Sequence, residues 1–136
     1  MNINGKKINT EEELIDLIKE GVNPLEYIEN GADIEFISKA IAHEEQSQDP
    51  YWDDMAEILL KAIINYLIIK DQKDSSLKRC MKIVSLGTDK EKLNQLFNNL
   101  NDEATNYLYK AIEIVPDKTY NSIIEVLNKK LSKLVK

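Results

Sequence analysis

The segment Asp49–Lys70 constrains the fold more than any other stretch, because it alone is apolar enough to form a helix buried on nearly every side. Asp49 can accept a hydrogen bond from the first free amides, and Pro50 suits a first turn, where an amide would have no partner. Its apolar positions recur at helical spacing: Trp52, Met55, Ala56, Ile58, Leu59, Ala62, Ile63, Leu67 and Ile69. One polar stripe remains, formed by Asp53, Glu57, Lys61 and Asn65. The sequence therefore predicts a central helix about 30 Å long that other helices cover.

The rest of the chain favours a single all-α domain. Its 136 residues are enough for one hydrophobic core. Only four glycines and three prolines occur, and every long segment has helical periodicity, so we expect about seven helices around the central one at about residues 50–70. The single cysteine excludes an internal disulfide, no secretory signal is recognisable, and charges interrupt the central helix too often for a membrane span. We expect a cytoplasmic location without direct membrane contact.

Capping residues predict where the other helices begin. A short irregular or extended lead-in covers residues 1–9, and Gly21 ends the first helix. One helix is expected to run from Ile34 to about Gln46. In a later helix, Ala104, Leu108, Ala111 and Ile112 are expected inside, with Tyr107 alongside. The predicted helix starts are Thr10 with Glu13, Asn23 with Pro24, Asp33, Asp49, Thr88 with Glu91, Asn101 or Asp102, and Asp117.

The residues that would support catalysis or metal binding are missing. His43 is the only histidine and has no second His or Cys to complete a metal site, so we expect it to be exposed at a helix end. The four glycines are scattered, which excludes a phosphate-binding loop. We therefore expect no enzymatic activity, no metal and no cofactor in this chain.

Three segments resemble a known family in the correct order. DPYWDDMAEILLKAIINYLI, beginning at Asp49, resembles the D-P-F-W segment that opens the long helix of the all-alpha domain in type IV secretion coupling proteins, the hexameric DNA-pump ATPases of conjugation. NPLEYIENGADIEFISKAI, beginning at Asn23, resembles the family's entry, and DKTYNSIIEVLNKKLSKL, beginning at Asp117, resembles its exit helix. The positions that match the family motifs are Asn23, Pro24, Asp49, Pro50, Trp52, Lys118, Thr119, Ser122 and Ile123.

The resemblance implies a domain boundary and a function. Residues 23–136 would be the all-alpha domain of a coupling protein of Gram-positive type, whereas residues 1–22 fall outside the match. In the family this domain is inserted into the motor at the cytoplasmic mouth of the hexamer. The implied role is a non-catalytic receptor for a relaxase or other relaxosome protein, attached to the rest of the ATPase. We expect the isolated domain to be a monomer.

The charge is divided unevenly along the chain. Residues 1–60 carry fifteen acids and four lysines, a net charge of −11, whereas residues 61–136 carry nine acids and fourteen Lys or Arg, a net charge of +5. This polarity favours a protein partner over nonspecific DNA binding, although ordinary solvated helix faces would give the same pattern. The candidate partner-binding residues are Glu44, Glu45, Asp53, Asp54 and Glu57.

Two alternatives stay open at this stage. The first is a helical module that touches the transferred DNA directly. Its candidate contacts are Lys78, Arg79, Lys82, Lys129, Lys130, Lys133 and Lys136. The second is a free-standing adaptor protein unrelated to conjugation.

Overall fold

A computed structural model describes residues 1–44 and 48–135 of the chain. The described residues form seven α-helices and one small hairpin, which confirms the predicted all-α fold. The elements are β1 (Asn2–Ile3), β2 (Lys6–Lys7), α1 (Glu11–Lys19), α2 (Gly31–Ala42), α3 (Pro50–Asp71), α4 (Leu77–Leu86), α5 (Lys90–Asn98), α6 (Glu103–Glu113) and α7 (Asp117–Leu134), with 3-10 turns at Pro24–Tyr27 and Gln72–Asp74. None of the helices in these two ranges is long and apolar enough to cross a membrane.

Helix α3 is the centre of the packing, as predicted. The Asp49 side chain accepts a hydrogen bond from the amide of Tyr51 at 3.0 Å, which fixes its first turn. Helices α2, α6 and α7 all pack against α3. Its fully buried side chains include Leu59, Ile63 and Leu67, so the apolar line read from the sequence does face the core.

The buried arc of α3 is rotated from the predicted one. Trp52 and Met55 are only partly buried, and Ile69 is 50% exposed. Asp53, expected in the polar stripe, is instead 2% exposed. The reason is that α7 supplies a cation: Lys130 Nζ lies 2.9 Å from Asp53 Oδ1, so a carboxylate can occupy a buried position.

The N-terminal segment belongs to the same core as the rest of the chain. Asn4 and Gly5, both at positive φ, form the turn between β1 and β2. Ile3 and Ile8 of this segment are both 3% exposed. They join the cluster that also contains the inner side chains of α1 and α3, so the lead-in is an ordered part of the domain.

Two predicted helix starts are wrong, one by three residues and the other by one. Asn30, not Asp33, caps α2, and Asp33 accepts a hydrogen bond from the amide of Glu29 at 2.9 Å instead. Helix α2 ends at Ala42, and the predicted end at Gln46 falls outside the described residues. Asp89, not Thr88, caps α5. Each of these caps sits on extended backbone from which its side chain reaches a free amide two or three positions on.

The start of α7 differs from the prediction because no side chain caps it. Pro116 occupies the cap position, and no side-chain cap hydrogen bond forms there. Asp117 is therefore the first residue of the helix. Its carboxylate accepts a hydrogen bond from Lys90 Nζ at 3.2 Å, and this ammonium also lies over the Tyr120 ring, 5.2 Å from its centroid.

Helix α7 packs closely against the corner between α4 and α5. The Tyr120 hydroxyl donates a hydrogen bond to the Gly87 carbonyl at 2.7 Å, and both groups are buried. A Cβ at Gly87 would lie 2.7 Å from Ile124 Cδ1 and 3.0 Å from Leu93 Cδ2. A side chain at Gly87 would therefore force the end of the Ile124 side chain to move.

Helix α6 presents a different face to the core from the predicted one. Thr105, Tyr109 and Ile112 are buried, and the Tyr109 ring stacks on Phe97 with 4.2 Å between centroids. Ala104 is exposed and Tyr107 is 81% exposed, whereas only Ile112 of the predicted inner set is fully buried. Because apolar residues occur on both sides of this helix, periodicity alone could not distinguish them.

The two ends of the segment that resembles the family lie together. Val22 and Asn23 line a small cleft that is also lined by Leu134 and Val135 at the end of α7. Asn23 also joins distant parts of the chain, because its side chain accepts from the Leu25 amide at 3.2 Å and donates to the Ser75 carbonyl at 2.8 Å.

Candidate protein-docking surface

A cleft of about 420 Å³ lies between α1 and the end of α2. The sequence of α1 explains the wall that this helix forms. Thr10 caps α1 by accepting a hydrogen bond from the Glu13 amide at 3.1 Å. The acids of the first turn are favourable there because they face the positive end of the helix dipole. The wall of the cleft is mostly charged. It consists of Glu11, Glu12, Ile15, Asp16, Lys19, Ala40, His43 and Glu44.

His43 connects this cleft to the first turns of α3. Its Nε2 lies 2.8 Å from Glu57 Oε1 and 3.6 Å from Asp54 Oδ1. Because an ionised carboxylate can only accept, the ring nitrogen is the donor in the contact with Glu57. The prediction of an exposed helix-end histidine is therefore wrong, since the side chain is only 22% exposed.

The chemistry of this region is acidic rather than metal-binding. Among the described residues, no group of three or more His, Cys, Asp and Glu side chains is arranged to hold a metal ion. The Glu57 carboxylate is shared between His43 and Lys61, whose Nζ lies 3.5 Å from Glu57 Oε2. The His43–Glu57 contact thus holds the end of α2 against α3.

The structure brings three of the five predicted partner-binding acids together. Glu44 lies in the cleft, and Asp54 and Glu57 meet at His43. Asp53 is buried and paired with Lys130, so it is withdrawn from the candidate set, and Glu45 lies outside the described residues. The reasoning from sequence missed the acids of α1, because that helix was placed outside the family match. We call the combined set the acidic surface: Glu11, Glu12, Asp16, Glu44, Asp54 and Glu57.

Half of the six acids of the acidic surface have no cationic neighbour among the described residues. Lys19 Nζ pairs with Glu44 Oε1 at 2.8 Å. Glu11, Glu12 and Asp16 form no salt bridge with any residue in the ranges 1–44 and 48–135. The Asp54 side chain is 65% exposed beside His43. The surface therefore keeps a negative potential that a basic partner would meet first.

The predicted DNA-contacting residues are divided between surface and structural positions. Lys78 and Lys82 on α4 and Lys129 and Lys133 on α7 are exposed. Lys130 is the half-buried partner of Asp53, and Arg79 donates to Asp71 Oδ2 at 3.0 Å. Lys136 lies outside the described residues. The cations available to a phosphate backbone are thus fewer than the sequence indicated.

The residues that carry the family resemblance occupy structural positions. Asn23 and Asp49 cap helical turns, and the prolines that follow them occupy first helical positions. Ile123 is fully buried in α7, and Ser122 Oγ donates to the Lys118 carbonyl at 3.2 Å. The positions described are Asn23, Pro24, Asp49, Pro50, Trp52, Lys118, Thr119, Ser122 and Ile123; of these, Lys118 is exposed and Trp52 and Thr119 are half-buried.

Comparison of the chain with family models, with curated proteins and with solved structures found no match. The chemistry of the surface and the motif positions are therefore the basis for a functional proposal.

Proposed function

We propose that this chain is a non-catalytic protein-docking domain, the substrate receptor of a conjugative type IV secretion coupling protein, and that it binds a basic region of a relaxase or other relaxosome protein. The observation that carries the proposal is the acidic surface, which gathers acids from α1, α2 and α3 around one cleft. A concave, negatively charged site between helices fits a projecting basic segment of a protein.

The charge distribution supports a protein partner over a nucleic acid. Long-range attraction accelerates the encounter of oppositely charged proteins, and DNA would be repelled by the acidic surface. The sequence pI of about 4.9 is also far below the basic values typical of nucleic-acid-binding domains.

The positions of Asn23 and Val135 support the part of the proposal that concerns the parent protein. Asn23, where the family resemblance begins, lines the same cleft as Val135, close to where it ends. An inserted domain needs its entry and exit close together, because the host chain must continue from one to the other. In this proposal the ATPase activity belongs to the motor that carries the domain.

Charge reversal tests the docking surface. The triple variant Glu12→Lys, Asp16→Lys and Asp54→Lys should slow association with the relaxase encoded beside the parent gene by about tenfold or more at low salt. The effect should shrink as salt is raised, because the Debye length falls to about 8 Å at physiological ionic strength. All three residues are exposed, so the only expected loss of stability is the favourable interaction of Glu12 with the α1 dipole, about 0.3–1 kcal/mol, and the melting temperature should fall only slightly.

A matched control separates the acidic surface from net charge. Glu26→Lys, Glu91→Lys and Glu125→Lys also reverse three exposed acids, but outside the acidic surface. This second triple variant should associate at close to the wild-type rate. Equal slowing by both variants would show that only overall charge matters, and would overturn the proposed site.

Titration with labelled single- and double-stranded DNA tests the alternative function. Binding in the micromolar range that weakens on replacing Lys78, Lys82 and Lys129 with glutamine would favour direct DNA contact through α4 and α7. No DNA binding together with relaxase binding supports the receptor role.

A further inference from the structure

The outward face of α6 carries apolar side chains that are exposed to solvent, and no described residue covers it. Tyr107 is 81% exposed and Ile114, the residue that caps the end of the helix, is 70% exposed. Ala104 on the same side is exposed and Ala111 is half-buried. The core-facing side of the helix, with Tyr109 and Ile112, points the other way. A solvent-facing helix side of this composition resembles a contact surface more than an ordinary wet face.

The exposed face has the spacing of a coiled-coil seam. Ala104 and Ala111 are seven residues apart and occupy the a positions of two heptads, while Tyr107 and Ile114 occupy the d positions. Alanine at a lets two helix backbones approach closely, and the larger d side chains can fill the space beside them. The seam is short, because α6 has 11 residues and is about 16 Å long.

The charges beside this seam complement themselves. Glu103 and Lys110 occupy the two g positions, and both are exposed. Neither forms a salt bridge with another residue of the described chain. In an antiparallel helix pair the g edges face each other, so Glu103 of one copy can meet Lys110 of the other, and the reverse contact follows by symmetry. In a parallel pair the g edge meets the e edge, which carries only Leu108 and Val115.

We propose that two copies of this chain associate through α6 in an antiparallel, two-fold symmetric contact. In the register that pairs Glu103 with Lys110, Tyr107 of each copy packs against Ala104 of the other, whereas Ala111 and Ile114 lie beyond the end of the partner's helix. A second copy is the partner that fits this face. Glu103 and Lys110 of one helix can pair with Lys110 and Glu103 of the other, so the same two residues form both symmetric ion pairs. This inference is independent of the receptor role, since it uses a different surface.

The size of the face sets the strength of the contact. One helix of this length buries less than the roughly 800 Å² per partner of a standard stable interface, so the dimer should be weak and concentration-dependent. Sedimentation velocity on the full chain from about 10 μM to 1 mM should show a reversible shift from monomer to dimer. A monomer at every concentration overturns the proposal.

Charge swaps test the orientation. Glu103→Lys alone places two lysines opposite each other at both symmetric contacts, and Lys110→Glu alone does the same with two glutamates. Each single variant should weaken self-association about tenfold, and a mixture of the two should restore it, because every contact is then between opposite charges. Tyr107→Ser should weaken association in the wild-type and in the mixture alike.

Two controls make the result decisive. Thermal melts establish that the variants fold, and Glu91→Lys with Lys92→Glu, an exposed charge swap on α5, should leave self-association unchanged. The antiparallel seam is overturned if the α6 charge substitutions leave dimerisation unchanged. It is also overturned if the mixture of the two variants associates no more tightly than either variant alone. So does a face that captures only a helix of another protein while this chain stays monomeric.

Discussion

Lys130 Nζ lies 2.9 Å from Asp53 Oδ1, and the two side chains are 15% and 3% exposed. Removing one member of a buried pair leaves the other charge without compensation. Lys130→Met should therefore reduce the free energy of unfolding by about 2–4 kcal/mol, measured by chemical denaturation. Lys129→Met removes the exposed neighbour and should cost less than about 0.5 kcal/mol.

The double variant extends this test. Asp53→Asn combined with Lys130→Met removes both charges and should recover part of the stability lost by Lys130→Met alone. Strictly additive losses would show that the two groups do not interact energetically. Equal effects of Lys129→Met and Lys130→Met would contradict the half-buried position of Lys130.

Substitution at Gly87 should be destabilising for a steric reason. A methyl group there would lie 2.7 Å from Ile124 Cδ1, so Gly87→Ala should force the Ile124 side chain to repack at a cost of about 1–3 kcal/mol. Gly31→Ala is the matched control, because Gly31 opens α2 at ordinary φ and a Cβ there meets nothing within 4 Å. It should be neutral or slightly stabilising, and thermal unfolding compares the two.

The buried phenols should ionise late. Burial raises the pKa of Tyr120 from 10.0 to about 12 and raises that of Tyr109 further. Since the neutral phenol is favoured in the folded state, the contribution of Tyr120 to stability is complete below pH 10 and is lost as pH rises towards 12. Ultraviolet titration near pH 11 should count about two fewer phenolates in the native protein than in denaturant.

Replacing Tyr120 shows how much of the missing phenolate signal comes from this residue. Tyr120→Phe should reduce the native deficit to one and lower stability by about 1–3 kcal/mol, because the Gly87 carbonyl loses its donor in a buried position. A native titration identical to that in denaturant would rule out the buried environment of both rings.

Because Trp52 is only partly buried, its substitution should reduce the free energy of unfolding less than substitution of a fully buried residue of α3. Because the indole is half-buried against the edge of Tyr51, Trp52→Ala should cost about 1–2 kcal/mol. Leu59 is fully buried, so Leu59→Ala should cost about 2–5 kcal/mol and exceed it. Chemical denaturation measures both, and the reverse order would indicate that Trp52 lies in the core, as the sequence had suggested.

The sequence predicted the helices well because their signals are local. A cap such as Asp49 and a breaker such as Gly21 act within one turn, and both occupy their predicted roles. The rotation of each helix about its axis was less predictable. Helix α6 carries apolar residues on both sides, so only the tertiary fold determines that Tyr109 faces inward and Tyr107 outward.

The candidate site depended on contacts between distant residues. Asp53 looks like a surface acid until Lys130 is seen beside it, and no local pattern connects the two. The contribution of α1 was missed for a related reason, since Glu12 and Asp16 look like ordinary exposed positions of a short helix. The folded chain places them beside Glu44 and makes them part of one charged cleft.

The adjacency of Asn23 and Val135 has a mechanical consequence. Residues 1–22 pack into the same core, so the lead-in, Asn23 and the end of α7 belong to one rigid body. A host protein that carried this domain would move all three together, and the core would stay unstrained. Hydrogen exchange along α3 should accordingly be the same in the free domain and in a host that carries it.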